Sequence, residues 1–212
     1  MGSMFPETLT TERLRLERAC REAVDVDEFH RIRSSDDGIE SVAEYLPWEP
    51  HDTRAETVAL LDRIEREWET GEVARYFVRP NESEPNAGEL AGVAKLDVDR
   101  SRRAGSLGIW LRKRFWGRGY SGERAGALLD LAFDRLDLAV VEVIHQDGND
   151  RSRQAIERYL ETYGGSYDGV LRNWRAHGDV VVDAHRYTIT AEEYADAAVE
   201  AGEYGRSISN AD

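Results

Sequence analysis

The stretch between residues 106 and 136 predicts a strand, a glycine turn and a helix in direct succession. The turn is Arg114-Phe115-Trp116-Gly117-Arg118-Gly119-Tyr120, and the helix begins at Ser121 with an apolar stripe at helical spacing. Such a turn leaves backbone N–H groups without intrahelical partners at the helix N-terminus, where the helix dipole adds partial positive charge. We therefore expect a compound with phosphate groups to bind there.

Three kinds of phosphate loop can be compared with this turn. A P-loop needs Gly-x4-Gly-Lys-Ser/Thr, which the sequence lacks. A dinucleotide fingerprint follows the first strand of a βαβ unit, whereas Gly117-x-Gly119 lies in mid-chain, after several predicted strands. The third kind, Arg/Gln-x-x-Gly-x-Gly/Ala, binds the pyrophosphate of coenzyme A. Arg114-x-x-Gly117-x-Gly119 matches that pattern.

The periodicity elsewhere predicts an α+β fold, a mixed α/β sheet with helices on its faces and one parallel crossover. The expected order is β-α-α-β-β-β-α-β-α-β-β. Predicted strands span residues 13–19, 74–79, 89–98, 104–111, 139–144, 170–175 and 180–188. Predicted helices span residues 25–33 and 152–163 and begin at Thr53 and Ser121, and Thr190 caps one last short helix. One domain is expected over residues 4–195, followed by a frayed acidic tail at 196–212.

Composition limits the class of protein. The N-terminus lacks a secretory signal, and no apolar run approaches the ~20 residues that cross a bilayer, so we expect a cytoplasmic protein without a membrane partner. Cys20 is the only cysteine, and the five histidines show no metal-ligand spacing, so no metal site is expected. Whether the protein is a monomer or a homodimer stays open.

The charge balance is strongly acidic. The net charge is −14, and Lys95 and Lys113 are the only lysines. Nucleic acid is not expected as a partner, because phosphate contacts need a basic face. An acidic, lysine-poor composition is typical of a halophilic protein, since concentrated salt screens self-repulsion. The alternative is an acidic protein from ordinary salt.

With these motifs, the chain resembles the GNAT-superfamily N-acetyltransferases, and within them the RimJ/RimL-like branch. The resemblance covers about residues 11–194. It is carried by Thr11-Glu12-Arg13-Leu14-Arg15-Leu16, Leu107-Gly108-Ile109-Trp110-Leu111, Trp116-Gly117-Arg118-Gly119-Tyr120 and Asn149-x-x-Ser152. It implies the GNAT fold and transfer of an acetyl group from acetyl-CoA to a primary amine, by direct attack in a ternary complex. The acceptor would be a protein N-terminal α-amine or a small-molecule amine.

The resemblance also implies which residues hold acetyl-CoA. They are Ile109, Trp110, Leu111, Arg114, Trp116, Gly117, Arg118, Gly119, Tyr120, Ser121, Asn149 and Ser152. A backbone N–H of the strand before the turn, in Ile109, Trp110 or Leu111, would polarise the thioester carbonyl, and one such donor is worth on the order of 3 kcal/mol of barrier. Asn149 would bond the pantetheine arm.

Proton transfer offers several candidates. The catalytic candidates are Ser152, His145, Tyr159 and Glu142, with Glu44 and Asp97 as further carboxylates. An α-amine with a pKa of about 8 needs only a weak base acting through water. The leaving thiolate, with a pKa of about 8.5, needs only a weak donor such as Ser152 or Tyr159. Ser152 as a plain helix cap is an equal alternative.

Two features leave the activity and the acceptor open. Ile156 occupies the position at which many relatives carry a tyrosine general acid, which raises the alternative of a non-catalytic acetyl-CoA sensor. A longer acyl chain is a third hypothesis. Tyr45 and Trp48 either line the amine pocket or clamp two helices together.

Overall fold

A computed structural model describes residues 4–177 and 180–209, with side chains described for residues 4–176 and 180–200. The strands are β1 Thr8–Thr10, β2 Leu14–Arg18, β3 Val73–Pro80, β4 Gly92–Asp99, β5 Ala104–Leu111, β6 Val140–Gln146, β7 Ser166–His177 and β8 Val180–Thr190. The helices are α1 Val26–Ser35, α2 Ile39–Ala43, α3 Arg54–Thr70, α4 Tyr120–Asp130, α5 Asp150–Tyr163 and α6 Ala191–Ser209. Short 3₁₀ turns span Arg21–Ala23 and Lys113–Phe115, and a π-helical turn, Leu131–Arg135, extends α4.

All eight strands form one sheet in the order β1-β2-β3-β4-β5-β6-β8-β7. Neighbouring strands are antiparallel except β5 and β6, which are parallel and paired only from Ala104 with Val140 to Leu107 with Val143. Beyond these pairs β5 continues along β4, and β6 continues along β8. The two central strands therefore part, and an opening lies between them in the middle of the sheet.

Helices cover both faces of the sheet. On one face α4 and α5 pack on the central strands, through buried residues that include Leu128, Leu129, Val141, Val143, Ile156 and Leu160. On the other face α1 and α3 pack on β3 and β4, through Phe29, Ile32, Leu61, Ile64, Phe77 and Val93. A layer of helices therefore lies on each side of the sheet that contains the opening between β5 and β6.

Capping residues start the helices where the sequence predicts. The Asp25 side chain accepts a hydrogen bond from the Glu28 N–H at 2.8 Å, directly before α1. Thr53 precedes α3 and accepts from Glu56. Before α6, Thr190 accepts from the Glu193 N–H, and the Glu193 carboxylate accepts from the Thr190 N–H at 2.7 Å. The reciprocal bonds of a capping box are present at Thr190. Thr53 caps α3 as predicted, but the Glu56 carboxylate accepts from the Asp52 N–H and the Thr53 hydroxyl.

The α+β class and its mixed sheet are confirmed, but the predicted order is incomplete. The edge strand β1 and the helix α2 were not predicted, because three- and five-residue elements give too short a periodic signal. Strand β4 begins at Gly92 rather than residue 89, since the Leu90 and Ala91 carbonyls accept from Arg112 instead.

At the C-terminus, α6 runs to Ser209, through much of the segment expected to be a frayed tail. Residues 210–212, and the turn residues Gly178 and Asp179 of the last hairpin, lie outside the described residues. The domain boundary at residue 195 stays a prediction.

Candidate active site

A cleft of about 1240 Å³ occupies the opening between β5 and β6. Its lining includes the glycine turn before α4 and the loop after α2 that carries Tyr45 and Trp48. Helix α5 contributes Asn149, Ser152 and Tyr159 to its wall. The cleft therefore brings together the predicted phosphate turn, the predicted proton donors and the predicted amine-side aromatics.

The glycine turn presents a row of backbone amides to this cleft. Gly117 and Gly119 have φ of 76° and 80°, in the left-handed region that favours glycine. A Cβ at Gly117 would meet no atom within 4 Å, so this position faces open space. Over the described part of the chain, the N–H groups of residues 117–121 donate no hydrogen bond to protein; the Gly122 and Glu123 N–H groups are the first to bond, to the Gly119 carbonyl. Such a row of amides suits a phosphate group.

The turn is fixed from the side by the start of β2. The Glu123 carboxylate, in the first turn of α4, accepts from the Thr11 hydroxyl and from the Arg13 backbone N–H and Nε, the latter at 2.7 Å. The Arg13 guanidinium also donates to the Arg118 carbonyl at 2.9 Å, inside the turn. The Thr11-x-Arg13 segment thus holds the amide row in place without lining it.

The cations around the turn differ from the expectation. Arg118 lines the cleft, but the Arg114 guanidinium pairs with Glu89 and Arg114 is not part of the lining. Instead, Arg151 of α5 lies 3.7 Å from the Trp116 ring centroid and lines the cleft. Arg151 was missed in the sequence, although it lies two residues after Asn149 on a helix expected to reach the cofactor.

Strand alternation decides which β5 amides face the opening. The Val98 N–H of β4 donates to the Glu72 carbonyl, on the β3 side, so the residue before Val98 and every second residue before that direct their N–H and carbonyl groups toward β5. At the end of β5, the Arg112 N–H donates to the Ala91 carbonyl. The Trp110 N–H therefore faces β4, whereas Ile109 directs its N–H to the opposite side, into the opening. Of the three candidate donors for the carbonyl, Ile109 and Leu111 have the suitable direction. Ile109 is the nearer of the two to Leu107, the last residue of β5 that pairs with β6.

Asn149 is the helix cap of α5. Its side-chain oxygen accepts from the Ser152 N–H at 3.1 Å. Ser152 as the cap is therefore wrong, because the backbone of Ser152 is the group that is capped. Both residues line the cleft.

Tyr159 and Arg124 form a buried polar pair on the wall of the cleft. They are 2% exposed each, and within the described residues the Tyr159 hydroxyl and the Arg124 Nε and Nη1 have no hydrogen-bond partner. Burial raises the pKa of Tyr159 to about 12, against the opposing effect of Arg124, so the hydroxyl keeps its proton at neutral pH. Arg124 was missed because an arginine within a helical stripe is usually exposed.

The other two proton-transfer candidates lie on opposite faces of β6. His145 faces the α5 side: its Nδ1 donates to the Gln146 carbonyl at 2.9 Å, and its Nε2 accepts from the Tyr187 hydroxyl at 3.3 Å. Burial lowers the pKa of His145 below its usual 6.5, so the ring is neutral. Glu142 faces the α1 side and accepts from Arg186 at 2.9 Å. The two residues therefore cannot act as one pair.

The remaining candidates are placed as follows. Asp97 is paired with Lys95, and Glu44 is exposed. Trp48 lies edge-on to Trp110, with ring centroids 5.6 Å apart, and Arg175 donates to the Tyr45 carbonyl at 2.9 Å. Both aromatic residues line the cleft, and these two contacts tie their loop to β5 and β7 rather than clamping two helices together.

Two further searches concern metals and membranes. Over residues 4–177 and 180–209, no group of three or more His, Cys, Asp or Glu side chains is arranged to hold a metal ion. In the same part of the chain, no helix has the length and apolar character needed to cross a bilayer.

Comparison with known proteins identifies what the fold and cleft resemble. The family model for the acetyltransferase (GNAT) domain matches residues 13–159. A Bacillus subtilis (strain 168) protein with the provisional name ribosomal N-acetyltransferase YdaF is 33% identical over 93 residues, 42% of this chain and 50% of its own length. This chain therefore spans about half the length of that relative.

Two solved structures match most of the chain. Mycobacterium smegmatis RimJ in complex with CoA-disulfide matches with a TM-score of 0.74 at 19% identity, covering 95% of this chain and 98% of that one. The microcin C7 self-immunity acetyltransferase MccE, in complex with acetyl-CoA and AMP, matches with a TM-score of 0.75 at 15% identity, covering 89% and 98%. At these identities the likeness shows a shared fold.

Proposed function

The chain belongs to the GNAT acetyltransferase family, and from this premise we propose that it transfers an acetyl group from acetyl-CoA to a primary amine, by direct attack in a ternary complex. The observation that carries the proposal is the row of amides at residues 117–121, which have no acceptor among the described residues and lie beside the opening between β5 and β6. An anchored diphosphate there would lead the pantetheine arm into the opening. Acetyl-CoA and CoA-disulfide, the compounds named with two structural neighbours, support this choice of donor.

The reaction needs three events within the cleft. The amine nitrogen attacks the thioester carbonyl carbon, and the Ile109 N–H stabilises the oxygen as it becomes negative. The C–S bond then breaks, and the thiolate takes a proton from Tyr159, whose buried, protonated hydroxyl has no hydrogen-bond partner among the described residues. Water returns a proton to the Tyr159 phenolate before the next turnover. The surplus amine proton leaves through water to Glu142, the carboxylate that lines the amine side of the cleft.

The acceptor that we propose is a protein N-terminal α-amine or a small-molecule amine, as in the RimJ/RimL-like branch. The fold shared with RimJ and the match to a ribosomal N-acetyltransferase relative support that branch. An α-amine also suits this cleft chemically. Its pKa of about 8 leaves a substantial neutral fraction at neutral pH, so a base acting through water is sufficient.

A non-catalytic acetyl-CoA sensor is the second candidate function. It is favoured by one observation: the groups that would accept the amine proton are already engaged, Glu142 with Arg186 and His145 with Gln146 and Tyr187. Release of free thiol from acetyl-CoA in the presence of N-terminal peptides and small amines separates the two functions. Tight acetyl-CoA binding with no thiol release from any amine would favour the sensor. Turnover only with another acyl-CoA would indicate a longer acyl group.

Gly117→Val tests the placement of the diphosphate. The added side chain would occupy the open space where the phosphates are expected, so acetyl-CoA affinity should fall at least tenfold, as for loss of one charge-assisted hydrogen bond. Gly88→Val is a matched control, because Gly88 has a φ of 75°, also has no atom within 4 Å of a Cβ, and lies outside the cleft. Affinities are measured by calorimetry. If both variants bind acetyl-CoA as the wild type does, the diphosphate lies elsewhere.

A further inference from the structure

Arg33 is a buried cation at the amine end of the cleft. It lies on α1, is 4% exposed and lines the cleft. Among the described residues, no carboxylate lies within 4.0 Å of its guanidinium, whose hydrogen bonds go to His51 Nε2, at 2.9 Å and 3.3 Å. His51 is neutral, because burial and Arg33 lower its pKa to about 4. A buried guanidinium without a counter-ion is costly unless something else compensates its charge.

Two tryptophans frame the guanidinium. The Trp48 ring centroid lies 3.6 Å from the Arg33 Cζ, and the Trp110 centroid lies at 5.6 Å. An aromatic face attracts a cation through its quadrupole, but this attraction is weaker than that of a carboxylate. The rings therefore orient the guanidinium and remove water from it, and they leave most of its charge uncompensated.

Further cations line the same part of the cleft. Arg63 and Arg75 share one carboxylate, Glu67, at 3.6 Å and 3.1 Å, and Lys95 pairs with Asp97. With Arg33 these are four cations and two carboxylates, in a chain whose net charge is −14. Burial, together with Arg63 and Arg75, lowers the pKa of Arg33 to about 9, so an anion placed here would be held by several positive charges.

We propose that this site, the Arg33 cluster (Arg33, Arg63, Arg75, Lys95, Trp48 and Trp110), binds an anionic group, carboxylate or phosphate, that the amine acceptor carries. The inference rests on the proposed acetyl transfer and specifies its substrate class. Trp110 directly follows Ile109 in β5, so the cluster borders the point of attack. We therefore expect the anionic group and the amine to lie close together in the acceptor, and small molecules that carry both groups are suitable probes.

The test compares matched amines that differ only in charge. CoA-loaded protein is titrated by calorimetry, at one fixed ionic strength, with glycine and glycinamide, and with phosphoethanolamine and ethanolamine. The first pair probes a carboxylate and the second a phosphate. The wild type should bind the anionic member of at least one pair on the order of tenfold more tightly, as expected for a charge-assisted hydrogen bond. Arg33→Gln should remove this preference, and Arg33→Lys should retain part of it.

Arg31→Gln is the matched control, since Arg31 lies on the same helix but is exposed. Thermal melting and acetyl-CoA affinity show whether each variant folds and keeps its donor site. Equal binding within both pairs, no binding of any anionic amine, or an unchanged preference in Arg33→Gln would overturn the inference. Thiol release with the same amines is measured separately. A protein that binds anionic amines through Arg33 but acetylates none retains this site and refutes the proposed transfer.

Discussion

Tyr159 is the residue whose burial has the clearest functional consequence. Its hydroxyl has no hydrogen-bond partner among the described residues, so Tyr159→Phe removes a polar group that contributes little to folding. If this hydroxyl protonates the thiolate, turnover should fall by about a hundredfold, the lower range for a lost general acid. Stability should change little. Steady-state thiol release and calorimetric melting measure the two effects. Unchanged turnover would assign the proton to Ser152 or to water.

Tyr76→Phe provides the opposite pattern as a control. Tyr76 is fully buried, is not part of the cleft lining, and its hydroxyl donates to the Pro6 carbonyl at 3.0 Å. Its removal should cost about 1 kcal/mol of stability, the usual net value of one hydrogen bond. Turnover should be preserved. A general loss of activity in both variants would indicate that tyrosine substitutions in the core disturb the cleft indirectly.

At the scale of single residues, the sequence predicts the strand face on which a side chain lies better than it predicts the hydrogen-bond partner of that side chain. Glu142 and His145 could be placed on one buried strand, and an odd separation puts them on opposite faces. Their partners Arg186 and Tyr187 lie more than 40 positions later in the chain, and no local pattern points to them. For the same reason Arg114 was expected to bind phosphate, whereas its carboxylate partner comes from the segment before β4.

Among the elements, the connection between β2 and α4 carries a prediction. Arg13 binds Glu123 and the Arg118 carbonyl, and it thereby fixes the amide row without lining the cleft. Arg13→Met should weaken acetyl-CoA binding several-fold, because the turn would then pay ordering entropy on binding. Arg15→Met is the control, since Arg15 lies two residues later, in β2, pairs with Glu17 and is not part of the cleft lining. Equal cofactor affinity in the two variants would show that the turn is rigid by itself.

The elements themselves follow largely from local signals. Caps and stripes predict the starts of α1, α3 and α5 to within two residues, because helix starts depend on side chains three or four positions apart. The parting of β5 and β6 is different. It arises because β5 continues along β4 and β6 along β8, and pairing between distant strands is not encoded in either strand alone.

For the molecule as a whole, the sequence predicts the donor better than the acceptor. The cofactor turn is one contiguous segment between Arg114 and Ser121, so its chemistry is visible in a single motif. The Arg33 cluster is assembled from α1, α3, β3, β4, β5 and a loop, and it becomes visible only when the sheet brings these elements together. Donor recognition is therefore local in this chain, and acceptor recognition depends on tertiary structure.

The charge of the whole molecule leads to the last prediction. With 42 acidic and 28 basic residues the net charge is −14, and we propose that the chain is adapted to concentrated salt. Many ion pairs are exposed and weak, such as Arg103–Asp137 with 57% and 91% of the side chains exposed, so their screening costs little. Screening of the net self-repulsion should therefore dominate.

The melting temperature should accordingly rise from low to multimolar KCl, with most of the rise below about 1 M, where the Debye length shrinks to ~3 Å. Melting in potassium sulfate and in sorbitol separates charge screening from exclusion of the solute from the protein surface. Sulfate screens charges and is also excluded from the surface, whereas sorbitol is excluded without screening charges. Stabilisation by KCl well beyond that of sorbitol is the expected result. A melting temperature that is equal or lower in multimolar KCl would refute adaptation to salt, and the acidic composition would then be that of a protein from ordinary ionic strength.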